Sequence, residues 1–505
     1  MSWPVAEGNR PPLRPTGTIN EPKFGRWRTI EHMKRALLLI AAVALAGCSG
    51  STATAAPAAS ATTAPTPAAV ATPASLSTSA AVQSAAAAAA SAGIESAKVT
   101  DTTDAINVWI DQPRQPVVDG FLKKYPQYAS LVKSTIVDRE TLPAKTLLFN
   151  NTGSGWPDVV FAEPRLVARV SDTAHNFPLD LTSLVPADML KQYAAEDNCM
   201  FNGKVFCLRN DLAQMVTYFN APLFTQFGYQ VPTTFEDMQA LSDKVAKDHP
   251  GYFLGTLGDG WTWLSYFEAS GCPYAAVKDV GTLQIAMSDP KCTRAAQLID
   301  HMVANKTLWN TDYFTASWVK IANNNKLLML IAPIWAALGT FKGTYYTDKT
   351  TPNQTSHVLG VAEPLKWAAD ATAQTAAMGG AAWTISQHTK NPGLALLFAE
   401  YATQDPDLWK GSSNFPSFTP LQPLFNATVK DDPIFASDPT AAFAKAATEI
   451  SPVGDNWPRF DLIAPLNTVV KDMYSKKQTM AATLSEVTTV LTPLAEAQGY
   501  SVVNQ

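Results

Sequence analysis

Residues 106–112 read Ile-Asn-Val-Trp-Ile-Asp-Gln, a β-branched and aromatic run that stops on two polar residues. Side chains of this kind suit a pleated, half-buried surface, so the run predicts a short strand ending at Asp111 and Gln112. A helical pattern follows at once through Val117, Val118, Phe121 and Leu122. Pro157-Asp158-Val159-Val160-Phe161 is a second short buried strand, with Glu163 just past its end. Thr233 and Glu236 stand at capping-box spacing before a helix carrying Met238, Leu241 and Val245 on one face. Asp289-Pro290 and Asn391-Pro392 each set a capping residue before a proline at the first helical position. The helix after Pro290 buries Ala295, Leu298, Ile299 and Met302, and residues 327–331 and 382–385 are further strands. This alternation predicts an α/β fold of parallel sheets covered by helices, and residues 101–505 suffice for two domains.

Upstream the chain reads differently. Met33-Lys34-Arg35 precedes a short apolar run over residues 36–44, which ends in Leu45-Ala46-Gly47-Cys48. A basic start and an apolar run too short to span a bilayer describe a secretory signal. Small residues before a cysteine describe a bacterial lipobox, so Cys48 is the expected site of acylation. Residues 1–32 lack an apolar run, and Met33 is the better initiator, so residues 1–47 read as an extension plus signal peptide. Residues 48–100 are dominated by Ala, Ser, Thr and Pro. They bury too little apolar surface to offset ordering entropy, and so predict a disordered tether between anchor and body.

Four cysteines remain, as the local pairs Cys199 with Cys207 and Cys272 with Cys292. Outside the cytoplasm such pairs read as disulfides; three connectivities are open, and proximity favours these two. No zinc-ligand spacing is present. A formal net charge of −5 gives no electrostatic footprint for nucleic acid or for an anionic membrane surface. HExxH, GxSxG and a phosphate-cradling loop are all missing, and six histidines are scattered without ligand spacing. A secreted hydrolase with paired carboxylates stays open on composition alone.

Several segments in order resemble the extracellular solute-binding proteins of the maltose- and oligosaccharide-binding type. They are Ile106–Asp111, Gly155–Val160, Asn202-Gly203-Lys204-Val205-Phe206, Tyr218-Phe219-Asn220, Pro232–Glu236, Ala332–Trp335, and Gly379-Gly380 with Ile385-Ser386 and Asn391-Pro392. Phe235 in place of tryptophan, the lack of a glycine before Lys326 and the two cysteine pairs depart from the pattern. The resemblance implies a two-lobed, type II periplasmic-binding-protein-like α/β fold with a hinge crossed more than once. Residues 101–209 and 361–415 would form the first lobe, and 210–360 and 416–505 the second. It also implies a monomer without cofactor or catalytic residues, which captures a solute by lobe closure and presents it to ABC permease subunits. An adhesion or sensing lipoprotein would use the same cleft.

A sugar offers an apolar C–H face for aromatic rings and a belt of hydroxyls for carboxylates and amides. Trp261 is the expected stacking platform from its place in the family pattern, with Trp263 pointing oppositely if the segment is extended and core burial nearly as good a reading for it. Trp335 follows a buried strand where the family commonly stacks sugar. Trp383 follows Gly380, whose missing side chain would admit a ligand, although packing accounts for Trp383 equally. Trp457 and Arg459 lie in a loop-like stretch, with Arg459 also readable as a solvated charge. Asp111, Gln112 and Glu163 end strands. Asp211 is a ligand contact, a hinge residue or a cap, and Trp109 reads as core. The lack of a cationic cluster favours a neutral sugar.

Overall fold

Two sheets organise the chain, each built from strands distant in sequence. The computed structural model describes residues 97–504 apart from 196–198, 313–314 and 343–357. Cys48, the signal segment and nearly all of the tether lie outside the described residues. In chain order the elements used below are β1 (Ile106–Ile110), α1 (Gln115–Lys124), β2 (Val132–Ile136), α2 (Leu142–Thr152), β3 (Val159–Ala162), α3 (Pro164–Val170), β4 (Met200–Phe201), β5 (Lys204–Val205), β6 (Leu208–Arg209), β7 (Met215–Asn220) and α4 (Phe235–Asp248). They continue with β8 (Gly255–Thr256), α5 (Gly260–Phe267), β9 (Ala276–Asp279), β10 (Thr282–Gln284), α6 (Pro290–Ala304), β11 (Leu308–Trp309), β12 (Met329–Pro333), β13 (Leu359–Ala362), β14 (Ala382–Ile385), α7 (Pro392–Gln404), α8 (Thr440–Ala447), α9 (Ile463–Lys476), α10 (Met480–Ala497) and β15 (Ser501–Val503).

The first sheet has the order β2-β1-β3-β14-β6. Its β1 pairs in parallel with β2 and β3, whereas β14 runs antiparallel to β3 and β6. The core beneath it takes Ile106, Val108, Phe121, Phe161, Trp383 and Phe398. Trp109, expected in the core, is buried in the cluster on the other side of the strand, as alternation along β1 requires.

The second sheet, β12-β7-β13, is antiparallel throughout, contrary to the parallel expectation. The cause is the crossing of the chain between lobes. β7 starts just past the crossing, whereas β12 and β13 run back toward it, Pro333 pairing with Met215 and Ala362 with Thr217; in the first sheet β1 and β3 run toward the crossing and β14 away from it. At the crossing Asp211 bridges to Pro416 and Gln214 to Ala377. The return to the first lobe also falls later than residue 361. β13 takes the free edge of β7, and Thr375 still bridges to Ile450, so residues 361–376 run with the second sheet.

Helix starts follow their sequence signals, with one shift. Thr234 and Asp237, not Thr233 and Glu236, form the capping box of α4, while Glu236 accepts a hydrogen bond from the Ala368 amide at 3.0 Å. Both cysteine pairs are disulfides, with Cα separations of 5.1 Å for Cys199–Cys207 and 4.6 Å for Cys272–Cys292. The first closes the β4–β5 hairpin and the second fastens the loop after α5 to the first turn of α6. Among the described residues no helix is long and apolar enough to cross a membrane.

Candidate functional site

The ends of β1, β2 and β3 lie side by side because the strands are parallel, and each delivers charge to the same edge. Asp111 Oδ2 stands 3.3 Å from Arg139 Nη1 and 3.5 Å from Arg114 Nη1. Arg139 then reaches Glu163 Oε1 at 2.9 Å. The other oxygen of Glu163 accepts from Arg165 Nε, and Arg165 Nη1 donates to Glu140 Oε2 at 3.1 Å. Three arginines and three carboxylates thus form one continuous chain. Burial works against the Arg165 charge, but Glu163 and Glu140 more than offset it and raise its pKa. The expected lack of cationic groups is therefore corrected, yet the carboxylates balance them one for one. Gln112, just past Asp111, is exposed.

Facing this edge is the start of α5. Asp259 caps it by accepting from the Thr262 amide at 2.8 Å, and burial raises the Asp259 pKa. Gly260 is required at the first position because a Cβ there would lie 2.9 Å from Ile463 O and 3.0 Å from Leu466 Cβ of α9. The segment is helical, so Trp261 and Trp263 are separated by roughly 200° around the axis. Trp263 is fully buried, stacked on Phe267 at 3.7 Å and edge-on to Tyr274 at 5.4 Å. It is a core residue and does not face a ligand. Trp261 is half-buried instead, with the Arg165 guanidinium carbon 5.4 Å from its ring centroid. Trp457 meets it edge-on at 6.0 Å. A second contact between lobes joins Arg169 Nη1 to Asp461 Oδ2 at 3.9 Å.

The remaining candidates divide between hinge, core and rim. Trp335 is half-buried and its Nε1 donates to Met378 O at 2.9 Å, beside the crossing. Gly380 has φ +72°, and a Cβ there would stand 2.9 Å from Leu212 O and 3.0 Å from Asp211 O. The close approach that needs this glycine is chain against chain, not ligand against chain. Asp211 is buried in the same crossing and accepts from Asn210 Nδ2 at 2.9 Å and from the Ala381 amide at 3.3 Å; burial raises its pKa. Trp383 is fully buried between Phe161 and Phe398, and its Nε1 donates to Asn210 Oδ1 at 3.1 Å. A buried strand position explains it. Arg459 donates to Val280 O at 3.0 Å and Gln498 O at 3.2 Å and lies over Tyr500, so it ties down the C-terminal strand.

Beside Trp457 lies a cavity of about 240 Å³, with Ser171 and the Met200–Gly203 hairpin on one wall and Val277, Asp279 and Tyr500 on the other. Trp457 thus touches Trp261 and the cavity at once. Of the candidates, Asp111, Glu163, Trp261 and Trp457 are brought into one connected group. Arg114, Arg139, Glu140 and Arg165 belong to that group and were not singled out. Their signal in the sequence was position, since each closely follows a strand.

A family model for bacterial extracellular solute-binding proteins matches residues 116–442. No curated protein sequence matches the chain significantly. Among solved structures, the GacH receptor of Streptomyces glaucescens, described unliganded and with acarbose, is 17% identical with a TM-score of 0.59, covering 79% of this chain and 99% of that one. The galacto-N-biose/lacto-N-biose I-binding protein of the Bifidobacterium longum ABC transporter, in complex with lacto-N-biose, gives 18% identity and 0.61 over 80% of this chain and all of that one. A binding protein associated with an ABC transporter of Bifidobacterium animalis subsp. lactis, with β-1,6-galactobiose, gives 16% and 0.60 over 79% and 99%. At these identities the likeness carries the two-lobed fold alone.

Proposed function

The chain belongs to the bacterial extracellular solute-binding proteins, and from that membership we propose that it captures a sugar or oligosaccharide and delivers it to the permease subunits of an ABC importer. The family places it outside the cytoplasm. The observation that carries the sugar reading is Trp261, an aromatic face on the second lobe set opposite a charge-balanced chain of arginines and carboxylates on the first. An apolar ring and a row of ionised donors and acceptors match the two faces of a neutral sugar. The structural relatives were solved with acarbose, lacto-N-biose and β-1,6-galactobiose, which supports the same ligand class.

Capture proceeds by lobe closure. A solute held by both Trp261 and the strand-end residues makes its full set of contacts only when the lobes meet, so it shifts the population toward the shut form. The protein acts as a monomer, with no catalytic step and no cofactor. An acyl chain on Cys48 and the tether that follows keep it near the membrane, at about 0.8 kcal/mol per buried methylene.

A thermal-shift screen of the purified chain against maltose-series, galactose-containing and polyol ligands tests the proposal. A true ligand adds about 2.7 kcal/mol at a hundredfold excess over Kd and is recovered chemically unchanged. Stabilisation by no sugar would overturn the reading, and consumption of the sugar would make the protein a hydrolase.

A further inference from the structure

The second lobe holds a cavity apart from the one beside Trp457. It measures about 440 Å³ and lies between the loop ahead of α4, the chain after β13 and the end of α8. That size falls in the range of small-molecule sites. None of its lining residues belongs to the strand-end group.

Pro232 and Pro364 give it stiff apolar walls, and Glu363, Lys366, Lys445 and Glu449 bring charge to it. The side chain of Glu449 is 6% exposed, and its Oε1 accepts from Lys445 Nζ at 2.8 Å. Its Oε2 has no hydrogen-bond partner. A buried carboxylate oxygen left unpaired is costly, and a charged acceptor makes the stronger kind of hydrogen bond once a donor arrives. Lys366 is held in place by its backbone, whose amide donates to Thr233 O at 3.3 Å, while its ammonium acts on the Asp370 carboxylate and helps to lower its pKa without a close ion pair among the described residues. One cavity therefore holds a carboxylate oxygen without a hydrogen-bond partner and a cation outside any close ion pair, between apolar walls.

We propose that this cavity binds a small zwitterion of the amino-acid type, with its ammonium donating to Glu449 and its carboxylate facing Lys366. The site is separate from the sugar cleft and does not depend on what the cleft holds.

Saturation-transfer NMR on the purified chain, with pools of the twenty proteinogenic amino acids and separately with glycine betaine, tests this. At least one amino acid shows transfer, and betaine, whose quaternary nitrogen has no N–H, shows none. Glu449→Gln and Lys366→Glu each weaken that binding tenfold or more, and Trp261→Ala leaves it unchanged. Should Glu449→Gln fail to melt cooperatively, Lys366→Glu and Lys366→Ala decide the matter from the rim. Silence from all amino acids, equal transfer from betaine, or binding that survives the substitutions overturns the site. Loss of transfer in Trp261→Ala also overturns it, by placing the amino acid in the cleft. Sugar silence together with amino-acid transfer that persists in Trp261→Ala sinks only the sugar reading.

Discussion

The guanidinium carbon of Arg165, on the first lobe, stands 5.4 Å from the ring centroid of Trp261, on the second. Arg165 is held from behind by Glu163 and Glu140, so its position over the ring is set by the first lobe alone. A cation over an aromatic face is worth about 0.5–2 kcal/mol, according to how dry the site is. The contact exists only when the lobes approach, and it therefore couples the charged chain at the strand ends to the aromatic wall opposite.

That placement separates two tryptophans two residues apart. Trp261→Ala should lower affinity for the stabilising sugar by about tenfold or more, in keeping with an aromatic contact beyond simple burial. Its urea midpoint should stay close to that of the parent. Trp263→Ala should instead cost about 3–5 kcal/mol of stability, the usual range for emptying a large aromatic from a core. Calorimetric titration beside urea melts distinguishes the two, and a Trp261 variant that binds normally would remove the stacking assignment.

The arginine–carboxylate chain predicts non-additive stability. Arg165→Ala leaves Glu163 buried with Arg139 as its remaining partner, and breaking a buried pair from one side costs about 3–5 kcal/mol. The exposed half of the Glu140 contact adds little. Glu163→Gln made in the Arg165→Ala background should cost less than the same change in the parent, because the uncompensated charge has gone. A double-mutant cycle from denaturant melts measures the difference, and strict additivity would mean the two side chains act independently.

Much of this geometry was legible in advance, and the failures have physical causes. The position of Asp111 and Glu163 at strand ends is legible because a β-branched run that stops on a polar residue marks such an end, and parallel strands bring these ends together. The opposite fates of Trp261 and Trp263 were legible only through the cap: Asp259 and Thr262 stand three apart, which starts a helix and rotates the second ring into the core. Gly380 was read as making room for a ligand, whereas it makes room for the crossing at Leu212, a contact no local pattern reports. The pairing of Arg139 with both Asp111 and Glu163 joins residues that follow three different strands and is purely tertiary.

Glu400 predicts a pH dependence. It lies fully buried in α7, and burial pushes its carboxyl up to about 7 from 4.5, even though one oxygen accepts from the Ala97 amide at 3.2 Å. The folded state thus keeps the proton longer than the unfolded chain does. Stability from this group is complete below pH 4.5, declines as pH rises toward 7, and is lost above it, by at most ~3 kcal/mol. Burial raises Asp211 and Asp259 in the same sense. Glu400→Gln keeps an acceptor for Ala97 without a charge, so its urea midpoint should fall less between pH 5 and pH 8 than the parent's. An equal fall in both proteins would show that Glu400 stays ionised when folded.

The two disulfides should differ in what they control. Cys272–Cys292 spans 20 residues and Cys199–Cys207 spans 8, which by loop-closure entropy corresponds to about 3 and about 2.5 kcal/mol. In energy alone they are nearly equal. In position they are not: Cys272–Cys292 lies within the helical side of the second lobe, whereas Cys199–Cys207 braces the hairpin whose Met200–Gly203 segment walls the cavity beside Trp457. Replacing Cys272 and Cys292 by alanine should lower the urea midpoint with sugar affinity unchanged. Replacing Cys199 and Cys207 should lower the midpoint by a similar amount and also weaken binding, because a wall next to Trp457 loses its brace. Affinity that is indifferent to the loss of Cys199–Cys207 would separate that cavity from the sugar site and leave Trp261 and the strand-end residues to bind alone.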